Sequence, residues 1–191
     1  MKHLTTIALM LALGIASAYS QQLAANAPQR PVQMTFAGTG AASTIDLKQP
    51  NSTTSEELLT GSSALGTFTF RMVKATSNTA QPSGTCAAAY FPDMAGAGVF
   101  SFQDGSMLSV TLTQGGDCID FVQKVAHCTS IFKITGGTGR FKSASGILTL
   151  TETAQSVASD VSGLPVFFSE AGEFTGTISG AATEDVPDAR L

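Results

Sequence analysis

The chain has 191 residues, 43% hydrophobic and 13% charged, with three cysteines, no tryptophan and a formal net charge of −4. About 170 residues remain once a leader is set aside, enough for one well-buried domain and too few for two. The ten basic residues, Arg71, Lys74, Lys124, Lys133, Arg140 and Lys142 among them, are scattered among fourteen acidic ones, which excludes a nucleic-acid surface, because anionic backbones are held by clustered lysine and arginine.

Met1-Lys2-His3 precedes an apolar stretch from Leu4 to Ala16 that closes in small residues. It is too short to span a bilayer and has the shape of a secretory signal peptide over residues 1–20, with cleavage expected after Ala18 or Ser20. No cysteine follows to carry a lipid, so the expectation is a secreted or periplasmic protein with no membrane span in the mature chain. Losing Lys2 would bring the net charge to about −5. Residues 21–31, rich in Ala, Gln and Pro, and the acidic residues 181–191 read as flexible segments flanking a single domain over 32–180.

Val32 to Phe36 opens the domain as a strand. Gln49 to Ser63 is Ser/Thr-rich and reads as a long loop, with Glu56-Glu57-Leu58-Leu59 as one helical turn inside it. Asn51-Ser52-Thr53 is a glycosylation sequon, meaningful in a eukaryotic secretory pathway. From Leu65 the chain alternates with period two: Phe68, Phe70 and Met72 share one face, Thr67, Thr69 and Arg71 the other. Phe100 and Phe102 precede the turn Gln103-Asp104-Gly105-Ser106, and Leu108, Val110 and Leu112 follow it in phase, which predicts a β-hairpin. Thr129 to Ile134, Leu148 with Leu150, Pro165 to Ser169, and Phe174 with Ile178 continue the pattern, giving roughly eight or nine short strands.

Ile134-Thr135-Gly136-Gly137-Thr138-Gly139-Arg140-Phe141 reads as strand, glycine corner, strand. A dinucleotide-binding turn is excluded, since that fingerprint needs a third glycine where Lys142 stands, and a helix where an alternating strand follows. Eight or so half-apolar strands remove their edges by stacking as a sandwich or closing into a barrel, and Gly136, Gly137, Gly139, Gly146 and Gly176 favour the barrel.

Gly98-Val99-Phe100-Ser101-Phe102-Gln103-Asp104-Gly105-Ser106, Ile134 to Phe141 with Ser145-Gly146, and Gly172-Glu173-Phe174-Thr175-Gly176-Thr177-Ile178-Ser179-Gly180 together resemble a group of exported bacterial proteins related to plant allene oxide cyclases and dirigent proteins. The likeness covers Val32 to Gly180 loosely and Ala97 to Leu150 best. It implies an all-β, eight-stranded antiparallel, calycin-like barrel. It also implies a hydrophobic substrate or radical held in the barrel and guided by shape, and barrels that associate as homo-oligomers. None of the polar catalytic positions of those families is placed here residue by residue.

Of three pairings open to Cys86, Cys118 and Cys128, Cys118 with Cys128 is favoured, because Gly115-Gly116-Asp117 signals a turn and Cys128 opens the next strand. A zinc set of Cys118, His127 and Cys128 lacks a fourth ligand, and neither a metal nor another cofactor is expected. Two charged residues fall on the core phase at strand ends: Lys74 after Met72, and Glu152 after Leu150. The plain reading sends each past the rim into solvent. The sharper reading puts both at a barrel mouth, where they bind a ligand headgroup or act as acid and base. Tyr90 is expected to cap a loop against the barrel, and His127, with no nucleophile paired to it, to be structural. The functional expectation is a module that binds a small hydrophobic molecule in or at the mouth of the barrel. Its alternatives are an isomerase or cyclase and a structural barrel filled by its own side chains.

Overall fold

The computed structural model describes residues 28–161 and 163–182. The signal peptide expected over 1–20, most of the segment 21–31 and the acidic end of the chain lie outside the described residues. Eight strands follow in order: β1 (Arg30–Ser43), β2 (Ser52–Ser63), β3 (Gly66–Ser77), β4 (Ala89–Phe102), β5 (Met107–Asp120), β6 (Val125–Gly137), β7 (Ser145–Ser159) and β8 (Pro165–Ser179). Each pairs antiparallel with the next, and β8 pairs back onto β1, closing the barrel. Closure leaves no unpaired edge.

The strands run longer than the periodicity indicated. Ser52–Ser63 is a continuous strand rather than a loop with a helical turn, because every residue from Ser52 to Ser63 finds a cross-strand partner on β3. Arg30 and Pro31 already belong to β1, paired with Ile178 and Thr177, and are not part of a tail. The hairpin at residues 103–106 is present, with Phe100 opposite Leu108 and Gly105 at φ 78°. The glycine corner leads into a single 3-10 turn, Gly139–Phe141. Gly139 needs its positive φ of 56°, and a side chain there would strike Ser106.

The barrel has two chemically different halves. The β2–β3, β4–β5 and β6–β7 connections close one end, above an interior of Phe68, Phe70, Phe100, Phe102, Phe132 and Phe174 with aliphatic neighbours. Phe70 and Phe100 lie 4.2 Å apart by ring centroid, and Phe174 meets both edge-on at 5.1 and 5.0 Å. Each fully buried ring contributes about 1.5–3 kcal/mol by transfer from water. Phe141 plugs this end, with the Arg140 guanidinium over the Phe141 and Phe102 rings and hydrogen-bonded to the Leu65 carbonyl. The longer β1–β2 and β3–β4 connections stand at the opposite end, together with the β5–β6 and β7–β8 turns.

Candidate functional site

One step beyond the aromatic half, the inward positions turn polar. Lys74 follows Met72 on β3, Glu57 precedes Leu59 on β2, Glu152 follows Leu150 on β7, Glu170 lies beyond Gly172 and Phe174 on β8, and Cys128 and Ser130 lie beyond Phe132 on β6. All are buried, with Glu57 and Glu152 at 3% exposure and Lys74 and Glu170 at 4%. Two irregularities add to the layer. The β5–β6 register shifts between Leu112 and Gln114, so the inward phase passes from Leu108, Val110 and Leu112 to Gly115 and Asp117. The β3–β4 register shifts at Ala75 and Thr76, bringing Asp93 opposite Thr76 and leaving Met94 as the extra residue.

Lys74 organises one side of this layer. Its Nζ donates to Asp117 Oδ1 at 3.0 Å and lies 3.6 Å from Glu57 Oε1. Asp93 accepts from the Thr76 hydroxyl at 3.1 Å and from the Ser130 hydroxyl at 2.8 Å. Burial alone would lower the Lys74 pKa, but the carboxylates of Asp117, Glu57 and Asp93 outweigh it and hold the ammonium well above its ordinary value. Cys128 is the free cysteine, and burial beside Asp117 pushes its thiol well above the ordinary range.

The other side is a group of three glutamates. One oxygen from each of Glu57, Glu152 and Glu170 lies within 4.8 Å of the others. Both oxygens of Glu57 and Glu152, and Oε2 of Glu170, have no hydrogen-bond partner. Burial raises all three: Glu57 to about 7, partly offset by Lys74; Glu152 to about 8, with the Glu57 charge adding; and Glu170 to about 10, with Glu57 and Glu152 adding. Burial likewise raises Asp93. Toward the open end Ala42, on the inward phase of β1, is exposed and Phe168 is half-buried. The ring of Phe91, inward on β4 opposite Asp117, meets Phe121 of the β5–β6 turn edge-on at 6.0 Å.

The structure thus brings Lys74 and Glu152 into one buried layer and overturns the reading that sends them into solvent. Cys118 pairs with Cys86, not with Cys128. The physical reason is register: Gly115 and Gly116 continue β5 instead of turning it, so Cys118 stands opposite His127 and Asp117 opposite Cys128. Neighbouring positions on a strand point to opposite faces, which puts Cys128 inside and Cys118 outside. The same alternation separates His127, exposed and 3.3 Å from the Thr153 hydroxyl, from Cys128 and excludes the zinc set. Tyr90 lies across Gly116 and donates to the Gly115 carbonyl at 3.1 Å, fastening β4 to β5 rather than capping a loop.

Sequence reasoning missed Glu57, Asp93, Asp117 and Glu170. Glu170 was within reach, since it keeps the period-two phase of Phe174 and Ile178. On the outer wall, a groove of about 800 Å³ is bordered by Leu58, Arg71, Val99 and Thr111. No helix among the described residues is long and apolar enough to cross a membrane.

No protein-family model and no curated protein matches the chain. Among solved structures it is similar to a pterocarpan synthase dirigent protein, at a TM-score of 0.41 and 14% identity over 81% of this chain and 88% of that one. A likeness that loose carries no argument about activity, and the closed eight-stranded barrel rests on the strand pairing itself.

Proposed function

We propose that this protein binds a small amphipathic molecule at the open end of the barrel, its polar group against the carboxyl layer and its apolar part against Phe91, Phe121 and Phe168. The observation that carries this reading is the set of buried Glu57, Glu152 and Glu170 oxygens that accept no hydrogen bond, because buried polar groups are otherwise almost always hydrogen-bonded. The aromatic half is already filled by its own rings, so an apolar ligand lodges at the mouth and not deep in the barrel. Export is part of the proposal: the apolar leader-like segment supports it, and a disulfide suits an oxidising compartment.

Native mass spectrometry of the protein taken from its own exported fraction, followed by denaturing extraction, tests this. A stoichiometric small molecule whose occupancy falls in Lys74→Ala supports the proposal, and a clean polypeptide mass overturns it in favour of a self-filled scaffold.

A second reading, an isomerase or cyclase, is favoured by one observation: burial keeps Glu152 and Glu170 protonated near neutral pH, which makes them proton donors of the kind acid catalysis uses. With the extracted molecule or its precursor as substrate, Glu152→Gln would then abolish conversion while retaining binding. Equal conversion by the variant would remove this reading.

A further inference from the structure

We propose that Glu57, Glu152 and Glu170 form a binding site for a hard divalent cation of the calcium class inside the polar half of the barrel. The proposal goes beyond small-molecule binding and does not depend on it. Three strands converge on the site, and β1, the strand between two of them, contributes only backbone there, with the Phe168 ring lying over Gly40 and Leu59 over Gly38. On β1, Gly38 stands opposite Glu170 and Gly40 opposite Glu57, so β1 sends no side chain between those two carboxyls. On β8, Gly172 stands opposite Glu152, where any side chain would collide with the Glu152 Cβ.

Among the described residues one buried ammonium stands beside four buried acidic side chains, Glu57, Asp117, Glu152 and Glu170. Lys74 is the only buried basic residue among those described, and its hydrogen bond goes to Asp117. Asp93 is served by two hydroxyls. Five oxygens of the three glutamates accept no hydrogen bond at positions closed to bulk water, and of these Glu57 Oε1 alone has an ionic partner, the Lys74 ammonium 3.6 Å away. The donor set is all oxygen, which selects hard cations over zinc or copper. With one oxygen of each within 4.8 Å of the others, there is a point within about 2.8 Å of all three, and small side-chain rotations bring the oxygens to the ~2.3–2.6 Å of calcium–oxygen bonds. Magnesium demands ~2.0–2.1 Å and near-ideal octahedral geometry, a poorer match to carboxyls carried on separate strands.

The test is isothermal titration of chelator-stripped full-length protein with calcium chloride and, separately, manganese chloride, using the ions alone. One ion per chain is expected, with a rise in melting temperature. The isosteric pair Glu152→Gln/Glu170→Gln should bind about 100-fold more weakly or not at all, since ligand charge sets affinity in such sites. Absence of both heat and thermal shift for the wild type overturns the proposal, as does unchanged affinity in a folded double variant. A measurement on the wild type stands even if that variant fails to fold. Bound manganese should selectively broaden the amide NMR signals of Gly38, Gly40 and Gly172, and broadening confined to exposed acidic residues such as Asp46 and Asp104 would place the ion elsewhere and overturn the site. Because no organic ligand is present, a failure here leaves the ligand extraction unaffected, and the converse also holds.

Discussion

Lys74 on β3 and Asp117 on β5 are joined at 3.0 Å across the inside of the barrel, over the intervening strand β4, whose inward positions there include Gly96. A side chain at Gly96 would press on the Lys74 Cβ and on Leu112, so the small residue lets the lysine lie along the wall. Breaking one partner of a buried pair strands the other charge. Lys74→Met is therefore expected to cost about 3–5 kcal/mol in urea unfolding, and Lys74→Met/Asp117→Leu to recover part of it. Additive losses in the double-mutant cycle would show that the two groups do not interact.

The pH dependence of stability follows from the raised glutamates. Their ordinary pKa is 4.5 and the folded values are about 7, 8 and 10 for Glu57, Glu152 and Glu170, so between these limits the folded chain binds more protons than the unfolded one. The stabilisation they contribute is complete below the unfolded value and is lost as pH rises through the folded ones. In chelator, the melting temperature should fall from about pH 6 to about pH 9, and Glu152→Gln should flatten the decline. A melting temperature that holds level or rises over that interval contradicts the arrangement.

The disulfide closes a sequence separation of 32 residues, worth about 3–4 kcal/mol in the chain-entropy model. Peptide mapping under non-reducing conditions should link Cys86 to Cys118. Cys128, buried on the inner face, should react with alkylating reagents only after denaturation. Ready alkylation of Cys128 in the folded protein would mean that the polar layer is open to reagents at that point.

Filling of the aromatic half makes Phe174→Ala informative. The ring contacts Phe36, Phe70, Phe100 and Phe132, and its removal is expected to cost about 3–5 kcal/mol and to leave a dry apolar cavity. Benzene should then raise the melting temperature of the variant and leave the wild type unchanged. Stabilisation of the wild type by benzene would show that the aromatic half already holds space for an apolar guest.

Gly98 faces the Phe70 ring from the neighbouring strand, and a Cβ there would strike it. Gly98→Ala should displace a fully buried ring and destabilise the barrel by about 1–3 kcal/mol. Gly105→Ala instead meets open space and is limited to the strain of its positive φ. Equal losses in the two variants would remove the packing argument for Gly98.

The local sequence by itself determined the all-β class, the hairpin at residues 103–106, the glycine corner and the inward phase of Phe68, Phe70 and Met72. Each depends on side chains within a few residues of one another, and period two carries that information directly. It also placed Lys74 and Glu152 on the core phase, leaving open what they would meet. Only the tertiary structure decided the rest. The register shifts at Leu112 and Gln114, and at Ala75 and Thr76, reverse the phase of the residues beyond them, so Asp93 and Asp117 face inward where unbroken alternation would turn them out. The reach of β2 is set by β3, which supplies hydrogen bonds to a Ser/Thr-rich segment that looks like a loop alone. The Cys86–Cys118 bridge and the meeting of Glu57, Glu152 and Glu170 likewise join residues far apart in the chain. Their proximity is a property of strand register around a closed barrel, and register is fixed by pairing between strands rather than by any one strand's own residues.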